Sequence, residues 1–324
     1  MFTLSNQPIV VTGGAGFIGS HVVDELLSQG FPAKQITVYD NLSRGSVHNI
    51  RLLGQDRLVA RNLETDYLEF PEGALIFNLA AKVTGIAYNV AHPFDMLYHN
   101  LNIEMKVAEA ALRANASAII NVSTACVYPH DAPIPTPESA GDICDPEPTN
   151  FGYGVAKWTG EQIFKLMQEE YDLPVLQVRF FNAFGKRDYY DETAHVVPAL
   201  IRRFAENDEV VVWGTGKQMR VFVDAADIAY ALVMLAQTPK AFELERPVNI
   251  GHDHMITIRD LSYLIQDVMG MGSKKIVFDP SKPDGYAKRS ADVHMLKALI
   301  NWVPNIPIRD TIEKMVVDFK ERGY

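Results

Sequence analysis

Apolar residues follow two rhythms along the first half of this chain. Short continuous runs at 8–11, 35–39, 75–79, 118–122 and 175–180 read as buried strands, each too short for a helix and bounded by polar or glycine positions. Between them, 17–27, 94–113 and 153–171 carry apolar residues at helical spacing. Strands alternating with helices predict an α/β fold, a doubly wound parallel sheet covered on both faces. After residue 181 the alternation loosens. Helices are predicted at 195–205, 225–235, 258–269, 293–299 and 308–319, with short strands at 210–213 and 248–250. The expected organisation is a sheet domain over 1–182, joined by about 221–251, and a smaller interleaved C-terminal lobe over 183–220 and 252–324 that caps the carboxyl edge of the sheet. Between 128 and 150, six prolines stand among acidic and small residues. That stretch separates a strand end from a helix, so it reads as a long ordered loop running over a site.

The first strand and helix are joined by Gly13-Gly14-Ala15-Gly16-Phe17-Ile18-Gly19. Gly14-x-Gly16-x-x-Gly19 in a strand-to-helix turn is the dinucleotide fingerprint of a Rossmann fold. One glycine makes the turn, one admits a pyrophosphate and one lets the helix pack closely. Helix-start amides then favour the anion. Gly13 adds a second spacing, Gly13-x-x-Gly16-x-x-Gly19, which leans towards the short-chain dehydrogenase form of the turn. Asp40 ends the second strand, where a carboxylate accepts from both ribose hydroxyls and repels a 2'-phosphate. NAD is therefore the expected cofactor. Arg44, in Asn41-Leu42-Ser43-Arg44-Gly45, keeps NADP as the alternative, because an arginine in this loop can pair with a 2'-phosphate.

Tyr153 and Lys157 stand four residues apart on one predicted helix and so share a face. A free tyrosine ionises at about pH 10, too high for a base at neutrality. A neighbouring ammonium and a cationic nicotinamide lower that value, so Tyr153 is expected to exchange a proton with a sugar oxygen as hydride moves. Thr124, at the end of the preceding strand, offers a hydroxyl to the same oxygen, with Ser123 as its competitor.

Composition sets bounds on the rest. The chain has 324 residues, 48% of them apolar, enough for a large core. No run of about eighteen apolar residues and no signal-peptide pattern occurs, so the expectation is a cytoplasmic protein without a membrane partner. Cys126 and Cys144 are too few for a disulfide framework, and no metal spacing is present. A net charge of -10 argues against nucleic acid as a partner.

With these motifs in place, the chain resembles the extended short-chain dehydrogenase/reductases that act on nucleotide sugars. Ala80-Ala81-Lys82-Val83-Thr84-Gly85-Ile86, Ser123-Thr124-Ala125-Cys126-Val127-Tyr128-Pro129, His195-Val196-Val197-Pro198-Ala199-Leu200, Trp213-Gly214-x-Gly216 with Arg220, and Ser281-Lys282-Pro283-Asp284-Gly285 are similar to the GDP-L-fucose synthases. Several of these blocks are also similar to the GDP-mannose 3,5-epimerases. The resemblance implies Thr124, Tyr153 and Lys157 as the hydride-transfer triad, and Cys126 and His195 as a proton-exchanging pair beside a 4-keto carbon. A thiol and an imidazole both exchange protons near neutrality.

Cofactor contacts are expected from Gly13, Gly16, Phe17, Ile18, Gly19, Asp40, Asn41, Ser43 and Arg44. Further along the chain they are expected from Asn62, Leu63, Leu79, Ala80, Ala81, Lys82, Asn100, Val122, Tyr153, Lys157 and Phe180. Substrate contacts are expected from Lys82, Ser123, Thr124 and Asn182, and from Arg203, Trp213, Arg220, Lys282 and Arg289 around the diphosphate and base. Arginine suits bidentate phosphate contact, and an indole can stack on a purine.

Ala125 and Cys126 replace the acidic pair of the sugar 4,6-dehydratases, which disfavours a dehydratase. Asp40 suits a retained NAD, whereas fucose synthases resemble NADPH users. The expectation is an NAD-dependent epimerase on a GDP-hexose, of the GDP-mannose 3,5-epimerase type, working as a homodimer. The alternatives are a fucose-synthase-type epimerase/reductase using NADPH, a UDP-sugar 4-epimerase, and a dinucleotide-sensing scaffold without activity.

Overall fold

The computed structural model describes residues 7–282 and 287–323. Seven parallel strands form one sheet: β1 (Ile9–Thr12), β2 (Ile36–Asp40), β3 (Leu58–Ala60), β4 (Leu75–Asn78), β5 (Ala118–Thr124), β6 (Val175–Phe180) and β7 (Val248–Ile250). Their spatial order is 3-2-1-4-5-6-7. The sheet grows in opposite directions from β1 and β4, and the crevice beyond their carboxyl ends is where ligands bind in such folds.

Alternation along the strands divides the core. Ile9, Val11, Val38, Phe77 and Ile120 face α1 (Phe17–Ser28), and Val10, Ile76, Ile119 and Val175 face the opposite layer. After a short α2 (Ile86–Ala91), that layer is built from α3 (Pro93–Arg113) and α4 (Phe151–Tyr171), which pack along each other.

The chain then leaves the sheet for α5 (Val196–Glu206) and returns through α6 (Ala225–Ala236), which packs beside α1 and leads into β7. It leaves again through α7 (Ile258–Val268), α8 (His294–Ile300) and α9 (Ile308–Glu321). α5, α7 and α9 enclose a separate core that includes Leu200, Phe204, Leu261 and Met315.

The paired strands Glu209–Trp213 and Lys275–Asp279 complete this part. Lys275–Asp279 and β3 were not expected from the sequence. β3 is only three residues long, and Lys275–Asp279, only five, has no fully buried position to mark it. The proline-rich stretch is tied down, as its position between a strand end and a helix suggested. Thr136 donates its amide to Ser290 O at 2.9 Å, and the Trp158 indole donates to Gly141 O at 3.1 Å. Among the described residues no helix is long and apolar enough to cross a membrane, and no acidic, histidine or cysteine cluster is placed to hold a metal.

Candidate functional site

The turn after β1 is fixed from below. Thr12 Oγ1 donates to Asn78 Oδ1 at 2.9 Å and accepts from the amides of Leu79 and Ala80, each at 3.1 Å. Gly13 has φ of +66°, and a Cβ there would lie 3.0 Å from the Ala80 Cα. A Cβ on Gly19 would lie 2.2 Å from the Gly13 carbonyl oxygen, so only glycine lets α1 start against the turn. Gly16, Phe17 and Ile18 open that helix.

Asp40 is buried at the end of β2, with Oδ2 accepting from the Ala15 amide at 3.0 Å and Oδ1 from Leu42 at 2.8 Å. Burial pushes its carboxyl above the usual range, and these amides pull it back. Close-packed glycines beneath a buried carboxylate fit a dinucleotide, with its pyrophosphate over the turn and its adenosine ribose beside Asp40.

Arg44 is engaged elsewhere. It pairs with Asp191 at 2.5 Å, donates to Thr193 Oγ1 at 2.7 Å and lies 4.1 Å over the Tyr189 ring. It thus ties the loop after β2 to the segment before α5. Asn41 and Ser43 are exposed there, with Asn41 Oδ1 accepting from the Ser43 amide at 3.0 Å.

Tyr189, which the sequence did not single out, is largely buried, with its hydroxyl close to Gly16 at the start of α1. Burial pushes its phenol to about 12.

The other expected cofactor positions ring the carboxyl edge. Asn62 and Leu63 follow β3, and Asn62 Oδ1 accepts from the Glu64 amide at 3.1 Å. Leu79 to Lys82 follow β4. Buried Asn100 clamps Lys82, accepting from its amide at 2.9 Å and donating to its carbonyl at 3.0 Å. The Lys82 ammonium sits 2.5 Å from Asp95. Burial works against that charge, and Asp95 outweighs it, so the lysine pKa is raised. Val122 and Phe180 are buried on β5 and β6.

Two glycines seat Tyr153. A Cβ on Gly152 would meet the Pro93 carbonyl oxygen at 1.9 Å, and one on Gly154 would meet the Cys126 carbonyl oxygen at 2.7 Å. The start of α4 therefore lies directly on the turn that carries Cys126. Thr124 caps that turn, its Oγ1 accepting from the Cys126 amide at 3.2 Å. The neighbouring Ser123 hydroxyl is buried without a partner among the described residues. Arg289 places Nη1 3.7 Å from Cys126 Sγ and Nη2 3.8 Å from Glu147.

Lys157 is buried and paired with Glu104 of α3, a residue that sequence reasoning missed. Desolvation raises the Tyr153 pKa, and Cys126 and Glu104 add to the shift. The expected lowering by Lys157 does not prevail in the protein alone.

His195 precedes α5, with Nδ1 3.6 Å from the fully buried Asp188. Burial disfavours its charge, yet Asp188 carries the imidazole pKa above its ordinary value. The structure pairs His195 with Asp188 and does not bond it to Cys126. The segment before it touches the loop after β4, where the Gly85 amide donates to Thr193 O at 2.8 Å.

The residues expected around a nucleotide do assemble in part. Trp213 lies between Arg203, 5.8 Å from its ring centre, and Lys282, 5.7 Å away. Burial lowers the Arg203 pKa. Arg220 stands beside Arg289 on adjacent short strands, and its Nη1 donates to Met219 O at 2.9 Å. Asn182, at φ +44°, spends its amide on Val221 O at 2.9 Å. Pro283, Asp284 and Gly285 of the expected Ser281-Lys282 block lie outside the described residues.

The chain is similar to known proteins in sequence and in fold. The model of the NAD dependent epimerase/dehydratase family matches residues 9–251. The putative GDP-L-fucose synthase 2 of Arabidopsis thaliana is 31% identical over 94% of this chain and 89% of its own length. The GDP-L-fucose synthase of Escherichia coli strain K12 is 30% identical over 94% of each chain. Among solved structures, the UDP-glucose 4-epimerase of Thermotoga maritima with UDP-glucose superposes with a TM-score of 0.82 at 27% identity, covering 98% of this chain and 99% of that one.

Proposed function

The chain belongs to the NAD-dependent epimerase/dehydratase family, and on that premise we propose that it is an NAD(P)-dependent GDP-sugar epimerase/reductase of the GDP-L-fucose synthase type. The observation that carries this reading is the convergence of Thr124, Cys126 and Tyr153 where α4 meets the turn after β5, with Lys157 one helical turn further along α4.

Gly13, Gly16, Gly19 and Asp40 would hold a dinucleotide, which would supply or accept the hydride exchanged at sugar C4. Thr124 and Tyr153 hold the C4 oxygen, and Tyr153 gives it a proton as the ketone is reduced. Cys126 exchanges a proton at a carbon made acidic by that ketone. His195, whose imidazole pKa Asp188 raises, is its partner for the opposite face. Arg203, Trp213, Arg220, Lys282 and Arg289 hold the diphosphate and base, which assigns 183–220 and 252–324 to the nucleotide-sugar lobe and 1–182 with 221–251 to the dinucleotide domain. Two chains associate through α3 and α4.

One observation favours a second reading. Asp40 is buried against the turn and Arg44 is committed to Asp191 and Thr193, a pocket suited to NAD without a 2'-phosphate. Such an enzyme would keep NAD and re-reduce its own intermediate, as a GDP-mannose 3,5-epimerase type enzyme does.

The test is to identify any dinucleotide released on denaturation and then to assay in deuterated water. Turnover of a GDP-4-keto-6-deoxyhexose only with added NAD(P)H, with deuterium at C3 or C5, supports the reductase. Bound NAD with deuterium entering GDP-mannose without added cofactor supports the second reading. No deuterium in either substrate sinks both.

A further inference from the structure

Glu104 interrupts an apolar face of α3, between Ile103 and Val107. It is 1% exposed, with one carboxylate oxygen on the Lys157 ammonium and the other accepting from Asn78 Nδ2 at 2.8 Å. Asn78 also donates to Asn121 Oδ1 at 3.0 Å and accepts from the Thr12 hydroxyl at 2.9 Å. A continuous buried hydrogen-bond chain therefore runs from the dinucleotide turn to the lysine of α4. Gly160 leaves room for it, since a Cβ there would lie 3.0 Å from the Glu104 carboxyl carbon. Buried ion pairs are seldom more stabilising than apolar packing of equal volume, so stability alone is a weak reason for this carboxylate.

We propose that Glu104 is a positioning residue for the redox chemistry: it fixes the Lys157 ammonium and, by its own charge, governs how readily Tyr153 gives up its proton. This rests on the reading of Tyr153 and Lys157 above, and not on which sugar or base is bound. Glu104 from α3 and Cys126 from the turn after β5 act on Tyr153, with Arg289 behind the thiol, and Lys157 stands one helical turn along α4 with its ammonium on Glu104. The paired Lys157 offers the phenol little net positive charge. Desolvation, Cys126 and Glu104 hold the phenol in its protonated form, ready to donate to a ketone oxygen. Replacing the carboxylate by an amide of the same shape frees the lysine charge to act on the phenol.

The test reads the pH dependence of NAD(P)-dependent sugar oxidation by the whole chain, whose acid limb titrates the Tyr153 midpoint in the complex, with Tyr153→Phe as the control that lacks that limb. In Glu104→Gln the Tyr153 midpoint should fall by about one pH unit or more, roughly tenfold in its ionisation constant. A folded Glu104→Gln protein whose midpoint stays or rises overturns the proposal.

Should that variant not fold, Glu104→Asp keeps the charge but retracts it by one methylene. It should lower kcat about tenfold with KM and the titration near wild type, and an unchanged kcat overturns the proposal. Full activity in Tyr153→Phe would instead sink the reading of Tyr153. An inactive Tyr153→Phe with an unmoved titration in Glu104→Gln sinks the Glu104 proposal alone.

Discussion

At the scale of single residues, Tyr153 and Asp188 make the sharpest predictions. Tyr153→Phe should cut kcat by about 10²–10⁴-fold, the usual worth of a positioned proton donor, with a far smaller change in dinucleotide affinity by calorimetry. Asp188 raises the pKa of His195, so Asp188→Asn should lower the imidazole midpoint seen by NMR. The sign for stability follows from that direction. A histidine raised in the folded state contributes stability fully below its unfolded value of about 6.5 and loses it as pH climbs through the raised folded value. Thermal unfolding of the wild type should therefore show a decline across that window that Asp188→Asn lacks. Tyr153 and Lys157 were legible because helical spacing alone puts them on one face. Glu104 was not, because its partner lies 53 positions away and only the packing of α3 on α4 joins them.

At the scale of elements, close approach decides what the sequence shows as mere glycine. A methyl on Gly154 would press 2.6 Å from Pro146 Cβ and 2.7 Å from the Cys126 carbonyl oxygen. Gly154→Ala should destabilise by about 1–3 kcal/mol by denaturant unfolding, against a helix-propensity gain of at most about 1 kcal/mol. Its activity should fall further than its stability, because the displaced turn carries Cys126. Gly19→Ala collides with backbone at 2.2 Å and should weaken dinucleotide binding at least about tenfold. The long strands and helices were readable because their periods persist over many residues. β3 and Lys275–Asp279 were not, because the neighbours they pair with, rather than their own pattern, make them strands.

At the scale of the whole molecule, α3 and α4 leave large apolar side chains in solvent. Phe94 and Tyr98 are 74% and 52% exposed with rings stacked at 6.0 Å, and Met105, Phe151 and Leu166 are exposed on the same two helices. A homodimer through this pair predicts that Phe94→Glu with Tyr98→Glu halves the mass measured by light scattering while the fold is retained. The sequence by itself determined the α/β alternation, the glycine turn with Asp40 behind it, and the placing of Tyr153 and Lys157 on one helix, because each is written in short-range spacing and residue chemistry. Tertiary structure decided that Arg44 is tied to Asp191, that His195 rests on Asp188, that Arg289 meets Cys126 and that Glu104 holds Lys157. These pairings depend on strand order and on a chain that leaves the sheet and returns to it. No local pattern encodes which distant charges will meet.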